Sequence, residues 1–235
     1  MPQIFGWQHI VYLLVCILVG AGTIVLIKLK VKEEKHIDYI VKGVGGVLLC
    51  LLVWNRILLA VHNGILGIIP NTFCGLTSLL FALAAIFLKR GNIAYHCLVY
   101  ISIWGCLLTM IYPDFIGQAE SIFYPLTISG LLHHSVSLYL SILMIVTGFF
   151  KPTLRKFYAF PIGLSLYMTY GVFLEDCVGL EEAMYINEPL IEGTIFTWYF
   201  VGVLMMIITI AILATYEYIQ KKFGKKAQPQ QEQMS

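Results

Sequence analysis

The chain has 235 residues, of which 59% are hydrophobic and only 12% charged, with a formal net charge of +2. A soluble domain carries about 25% charged residues, so the composition excludes a soluble globular protein. The small net charge gives no reason to expect a nucleic-acid partner. Mean hydropathy is +0.84, and several apolar stretches reach the roughly 20 residues that a helical bilayer span requires.

Seven spans are predicted in chain order, at about residues 9–29, 38–61, 70–89, 92–112, 127–150, 157–175 and 194–219. The first is read as a retained span. Met1–Ile10 has no Lys or Arg, and the apolar run that follows is of span length with a basic stop after it, unlike a removable signal peptide. Gly64, Pro70, Gly91, Pro113 and Pro152 punctuate the connections. The expected architecture is all-α and polytopic: a seven-span domain over residues 1–220 and a basic, then Gln-rich tail over 221–235 with the composition of a solvated end. The sequence shows no internal repeat. Its six cysteines (Cys16, Cys50, Cys74, Cys97, Cys106, Cys177) are scattered singly without CxxC or disulfide-like spacing. A lone Cys in an apolar run is foremost a small packing residue.

The charges sort by side. Lys28, Lys30, Lys32 and Lys35 follow the first span, Lys89 and Arg90 the third, Lys151, Arg155 and Lys156 the fifth, and Lys221, Lys222, Lys225 and Lys226 the seventh. The other connections are poor in Lys and Arg. The fourth carries Asp114 and Glu120, and the sixth Glu175, Asp176, Glu181, Glu182, Glu188 and Glu192. Basic loops stay cytoplasmic, which predicts a multi-pass protein with its N-terminus outside and its C-terminus inside. A bacterial cytoplasmic membrane is the expected location.

The topology gives each polar residue a depth. His133 and His134 fall in the outer third of the fifth span, and an ionisable group at membrane depth is a functional-site hypothesis by default. Cys74 opens the third span on the same side, after Pro70-Asn71-Thr72-Phe73. Asn55, Arg56, His62 and Asn63 end the second span there, and Tyr170 closes the sixth. These residues point to one outward-facing cavity. Residues three or four apart share a helix face. The stripe Gly130, His134, Ser137, Ser141 is small and polar, which favours helix contacts in membranes. The stripe Ser129, His133, Val136, Leu140 is more apolar, so His134 is read as the inward residue. The third span has a similar small face at Asn71, Cys74, Thr77 and Ser78.

Cys74 differs from the other cysteines because it sits at a helix start. The free amides and positive dipole end there favour a thiolate, whereas Glu175 and Asp176 beside Cys177 oppose one. A Cys with a His base is a nucleophilic dyad suited to acyl transfer through a thioester. The bland alternative is a packed Cys and a hydrogen-bonded His, and nothing in the spacing decides between them. Arg56 either snorkels to the interface or holds a lipid phosphate at the cavity mouth. Trp7, Trp54 and Trp198 read as interfacial belt residues.

The order of motifs resembles the YwaF-like integral membrane family, which includes the animal transmembrane protein 164 group. Pro70-x-x-x-Cys74 opens one span and Ile111-Tyr-Pro-Asp114 ends the next. Leu132-His-His134 lies early in the fifth, and Met184-Tyr-Ile-Asn-Glu-Pro189 precedes Trp198-Tyr199. The resemblance runs from about Trp54 to Val201. It implies a lipid acyltransferase with Cys74 and His134 as catalytic residues, or His133 by a one-residue shift. More distant relatives resemble threonine hydrolases of fatty-acid esters, which makes Thr72 a minor candidate nucleophile. Many bacterial members have a His at the position of Thr72.

The leading expectation is therefore acyl transfer or hydrolysis on membrane lipids at the outer leaflet. Cys74 is the nucleophile and His134 the base, with His133 as support. The amides opening the third helix stabilise the oxyanion. Arg56, Asn71 and Tyr170 are the candidate substrate-binding residues. Membrane lipids are the expected partners, and no metal or cofactor is expected. The alternatives are a non-enzymatic transporter or accessory protein, and a metal site built from His62, His133, His134 and Cys74.

Overall fold

The computed structural model describes residues 5–113, 121–187, 189 and 193–223. Asp114, Glu120, Glu188 and Glu192, and the tail from residue 224, lie outside the described residues. The described residues form seven α-helices: α1 (Trp7–Lys30), α2 (Glu34–Asn63), α3 (Phe73–Phe87), α4 (Tyr95–Ile111), α5 (Pro125–Val146), α6 (Ala159–Phe173) and α7 (Trp198–Phe223). The described residues contain no strand.

Among the described residues, five helical stretches are long and apolar enough to cross a membrane: Trp7–Lys30, Glu34–Asn63, Pro125–Val146, Leu154–Val178 and Phe200–Lys222. The fourth of these joins a 3-10 turn, α6 and a π turn at Leu174–Val178. Helices α3 and α4 are apolar but shorter, with 15 and 17 residues. The third element is thus shorter than the predicted 70–89. Thr72 is extended and caps its start, and the chain leaves the helix at Leu88. The Tyr95 hydroxyl lies 2.9 Å from Ala84 O, which already accepts from Leu88 N, and 3.2 Å from Leu88 O, a carbonyl that another helical turn would have used.

Burial orders the helices. In the most apolar window of α5, 56% of residues are buried, against 6% in α1 and 11% in α7. Helix α5 is central and packs against α2 and α4, while α3 lies between α2 and α4. Small residues permit close approach. A Cβ on Gly45 of α2 would lie 2.8 Å from Ala85 Cβ and 3.2 Å from Ala82 O of α3. Helix α1 lies outside, tied by Tyr12 to Ser135 (2.7 Å) and by the His9 imidazole, which donates to Met110 O (2.8 Å). The outer faces of α1 and α7 expose Leu18, Val19, Ile207 and Ile212. Such faces suit lipid, because every helical backbone group is already paired.

The basic connections meet at one end. Arg90 pairs with Asp38 and Glu34, and Lys156 Nζ donates to Gly91 O (3.4 Å). Near the end of α7, Glu217 accepts from Leu154 N (2.9 Å) and from the Thr153 hydroxyl (2.8 Å). At the other end, Met184 N donates to Asn71 O (2.8 Å), and His62 Nε2 lies 2.7 Å from the Tyr124 hydroxyl. The candidate site lies at this second end.

Candidate functional site

A cavity of about 240 Å³ opens among α2 to α7. Its nucleophile is placed by a capping motif. Thr72 Oγ1 accepts from Gly75 N (3.2 Å), the bond of a helix N-cap. This puts Cys74 in the first turn of α3. Cys74 Sγ lies 3.8 Å from Thr109 Oγ1 of α4. The Thr109 hydroxyl donates to Gly105 O (2.9 Å), which leaves the thiol as donor to Thr109. The resting sulfur is therefore a thiol held by α4. Gly105 makes room for it, since a Cβ there would lie 2.9 Å from the sulfur. Among the described residues, the Phe73 amide has no protein partner, and the Cys74 amide points at its own sulfur. They are the orphan donors of a helix start.

The two histidines are held alike. His133 Nδ1 bonds to Ser129 O (3.0 Å) and His134 Nδ1 to Gly130 O (2.7 Å). A carbonyl only accepts, so each neutral imidazole carries its proton on Nδ1 and a lone pair on Nε2. That tautomer presents a base. Their ring centroids are 4.1 Å apart, and both rings line the cavity. His133 Nε2 is sealed from solvent without a partner among the described residues.

Arg56 turns inward instead of snorkelling. Its Nη1 donates to Ile69 O (3.3 Å), and its guanidinium lies against the Gly75 Cα, where any Cβ would collide with it. Its Nε is buried without a partner among the described residues. It is near enough for its charge to act on Cys74, His133, His134 and Tyr170. Asn71 lines the cavity, and its carbonyl anchors Met184. Tyr170 does not line the cavity and stands near Arg56. The cavity thus gathers Cys74, His133, His134, Arg56 and Asn71, and leaves Tyr170 outside.

His62 lies apart. Its two ring nitrogens meet Leu58 O (2.9 Å) and the Tyr124 hydroxyl (2.7 Å). Among the described residues no three His, Cys, Asp or Glu side chains group as a metal site. The four-ligand metal reading therefore loses its fourth ligand to Tyr124. Thr72, the alternative nucleophile, has its hydroxyl oxygen engaged as the cap of α3.

Several cavity residues carry no sequence signal for a role. Thr109 and Gly105 are ordinary members of an apolar helix. Tyr185 lies in the Met184-Tyr motif, but it reaches the cavity only because the chain there folds back. Glu182, Met184 and Tyr185 have φ of 57°, 56° and 52°, a left-handed run that bulky side chains rarely adopt. Ala183 and Met184 are fully buried beneath it. Burial, with Cys74 and then Glu182 nearby, pushes the Tyr185 phenol up to about 12. It is thus a neutral hydrogen-bonding group at neutral pH.

No curated protein and no solved structure matches this chain. A sequence model of the TMEM164 family matches residues 4–216. The YwaF name attached to the resemblance is not part of that match. The matched region runs from the start of α1 into the last third of α7 and includes every residue of the cavity. Family and apolar helices together describe a multi-pass membrane protein, and the chain belongs to the TMEM164 family.

Proposed function

We propose that the protein transfers or hydrolyses acyl groups of membrane lipids, with Cys74 as nucleophile and His134 as base. The observation that carries this reading is the shared cavity: one thiol, two imidazoles presenting Nε2 lone pairs, a guanidinium and aliphatic walls. Swinging from Thr109, the Cys74 thiol gives its proton to His134 Nε2 as sulfur attacks an ester carbonyl. The Phe73 and Cys74 amides face the developing oxyanion. Collapse breaks the ester C–O bond, and the leaving alcohol of the lysolipid takes the proton back from His134. The acyl thioester then passes to an acceptor hydroxyl, or to water, whose proton returns by way of His134 to the thiol. Arg56 holds a lipid phosphate, with Asn71 beside it and Tyr170 at its back. His133 packs against His134 and supports it.

The same reading places all seven helices across a bacterial cytoplasmic membrane, N-terminus outside and C-terminus inside. The joined basic connections support this sidedness, and the site then opens at the outer leaflet. At 1.5 Å per residue the 15-residue α3 spans about 22 Å, less than the roughly 30 Å hydrocarbon core. Non-helical backbone at its ends is tolerated because it lines a cavity inside the protein.

The test is lipid turnover by the purified protein in nanodiscs containing a phospholipid donor and a lysolipid acceptor. Cys74→Ala is expected to lose at least about 100-fold in rate while keeping its helical circular dichroism and monodispersity. Full turnover in Cys74→Ala overturns the dyad. Absence of turnover in the wild-type protein favours the accessory-protein reading.

A further inference from the structure

Attack by Cys74 on an ester builds negative charge on the carbonyl oxygen, and that oxygen needs hydrogen-bond donors. The start of α3 offers few. The Phe73 amide is free among the described residues, while at rest the Cys74 amide points at its own sulfur. The two imidazoles have their Nδ1 protons on carbonyls of α5 and keep only a lone pair for the cavity. The Thr109 hydroxyl is given to Gly105 O. Tyr185 brings a further donor. It lines the same cavity, and among the described residues its hydroxyl makes no hydrogen bond.

The chain holds this residue in place against its own backbone preference. Glu182, Met184 and Tyr185 lie in the left-handed region, and such strain persists only where the surroundings over-determine it. Three observations show how they do. Met184 N donates to Asn71 O (2.8 Å), which ties the run to the residues that open α3, three positions before Cys74. Ala183 and Met184 are fully buried. On α6, Gly171 gives up its side chain to the run: a Cβ there would lie 2.7 Å from Ile186 Cδ1 and 2.9 Å from Met184 Cβ. The neighbours of Tyr185 on both sides are thus packed against α6, and one of them is bonded to the approach to α3. The phenol stands near enough to Cys74 for their charges to act on each other. Burial, with Cys74 and then Glu182 nearby, pushes it up to about 12. At neutral pH it therefore keeps its proton and donates as a neutral hydroxyl.

We propose that Tyr185 is a catalytic residue of this cavity, its hydroxyl donating a hydrogen bond to the substrate's carbonyl oxygen as that oxygen becomes an oxyanion. The assignment rests on the acyl-transfer reading. As the Cys74 sulfur bonds to the carbonyl carbon, the π pair of the C=O bond moves onto oxygen. Tyr185 and the amides of the helix start hold that charge, and Tyr185 keeps its proton throughout. Collapse returns the pair to the C=O bond and breaks the bond to the lipid's alcohol oxygen, which takes its proton from His134. The hydroxyl meets an uncharged carbonyl in the bound substrate and a full negative charge in the intermediate. Its contribution therefore falls on kcat and not on KM.

The experiment compares the wild-type protein in nanodiscs with Tyr185→Phe, which removes the hydroxyl and keeps the ring. For a phospholipid donor, kcat and kcat/KM are each expected to fall about 10²–10³-fold, with KM unchanged. An unchanged kcat overturns the assignment. A rise in KM alone overturns it too, because it makes Tyr185 a contact of the bound substrate only. A second readout uses two lipid analogues, one with a trifluoromethyl ketone in place of the ester and one with an ether. The ketone adds the Cys74 sulfur and then carries an oxyanion, whereas the ether carries none. Tyr185→Phe is expected to weaken the ketone by about the factor lost from kcat and to leave the ether unchanged. An equal loss for both overturns the oxyanion contact. If Tyr185→Phe does not fold, difluorotyrosine in place of Tyr185 keeps the ring and the hydroxyl. Its more acidic phenol ionises sooner and stops donating, so the alkaline limb of kcat is expected to move to lower pH, and an unmoved limb overturns the assignment. Wild-type protein that neither turns over lipid nor adds the ketone removes the acyl-transfer reading and Tyr185 with it. Turnover and ketone addition that survive intact in Tyr185→Phe remove Tyr185 alone.

Discussion

His133 and His134 make the same backbone bond and face the same cavity, so what separates them is the second nitrogen. His133 Nε2 is sealed from solvent without a partner among the described residues, and His134 Nε2 is the proposed base. A base has to reach the proton it removes. His134→Gln is expected to lower turnover by about 10²–10⁴-fold and His133→Gln by less. Steady-state rates in nanodiscs check this, and the reverse order reassigns the base to His133. Asn55 holds the pair in place: its Nδ2 donates to Ser129 Oγ (3.0 Å), and Ser129 O receives His133 Nδ1 (3.0 Å). Asn55→Ala is expected to cost about 0.6–1.7 kcal/mol, read from reversible unfolding in detergent. No loss would show that α2 and α5 stay docked without this bond. The helical stripe through His134 is only partly legible in the sequence. Ser137 and Ser141 on that stripe bond to Ser102 of α4 (2.8 and 3.0 Å) and take no part in the cavity. Helix α5 is buried on several sides, so a single inward face does not exist to be read.

At the scale of elements, α3 shows what local chemistry reveals. Pro70 announces a helix start nearby, but the helix begins at Phe73 with Thr72 as its cap, which leaves Pro70 just outside it. The far end is not announced, because the Tyr95 hydroxyl that meets the Leu88 carbonyl there comes from the next helix. The left-handed run over Glu182, Met184 and Tyr185 is hidden for a similar reason. Nothing in Glu, Met or Tyr asks for a positive φ, and contacts such as Met184 N to Asn71 O hold it there. The close α2–α3 seam gives an element-scale prediction. Gly45→Leu places a side chain against Ala82 and Ala85 and is expected to destabilise the protein by about 1–3 kcal/mol. A thermal midpoint in detergent unchanged from wild type would show that the seam has slack.

For the whole molecule, the bilayer makes much of the architecture legible. A chain with so few charges has to satisfy its backbone within helices, and every predicted span overlaps one of the seven helices found among the described residues. The charges carry information of the same kind: connections far apart in sequence but alike in sign meet through Arg90 and Lys156, and Glu217 brings the end of α7 to the same place. Depth too is legible, since Arg56, Asn71, Cys74 and the histidines share a level once the spans are ordered. Which helices touch is not, because apolar faces of similar composition do not encode their neighbours. That is why Thr109 and the α7 wall are visible only in three dimensions. The proposal that joins these scales is a thioester on Cys74. The most direct measurement is peptide mass spectrometry of the purified protein after incubation with a defined phospholipid and no acceptor. The account predicts one acyl mass on the Cys74 peptide, removed by hydroxylamine and absent in Cys74→Ala. Lipid turnover with Cys74 unmodified, continuing in Cys74→Ala, would contradict it.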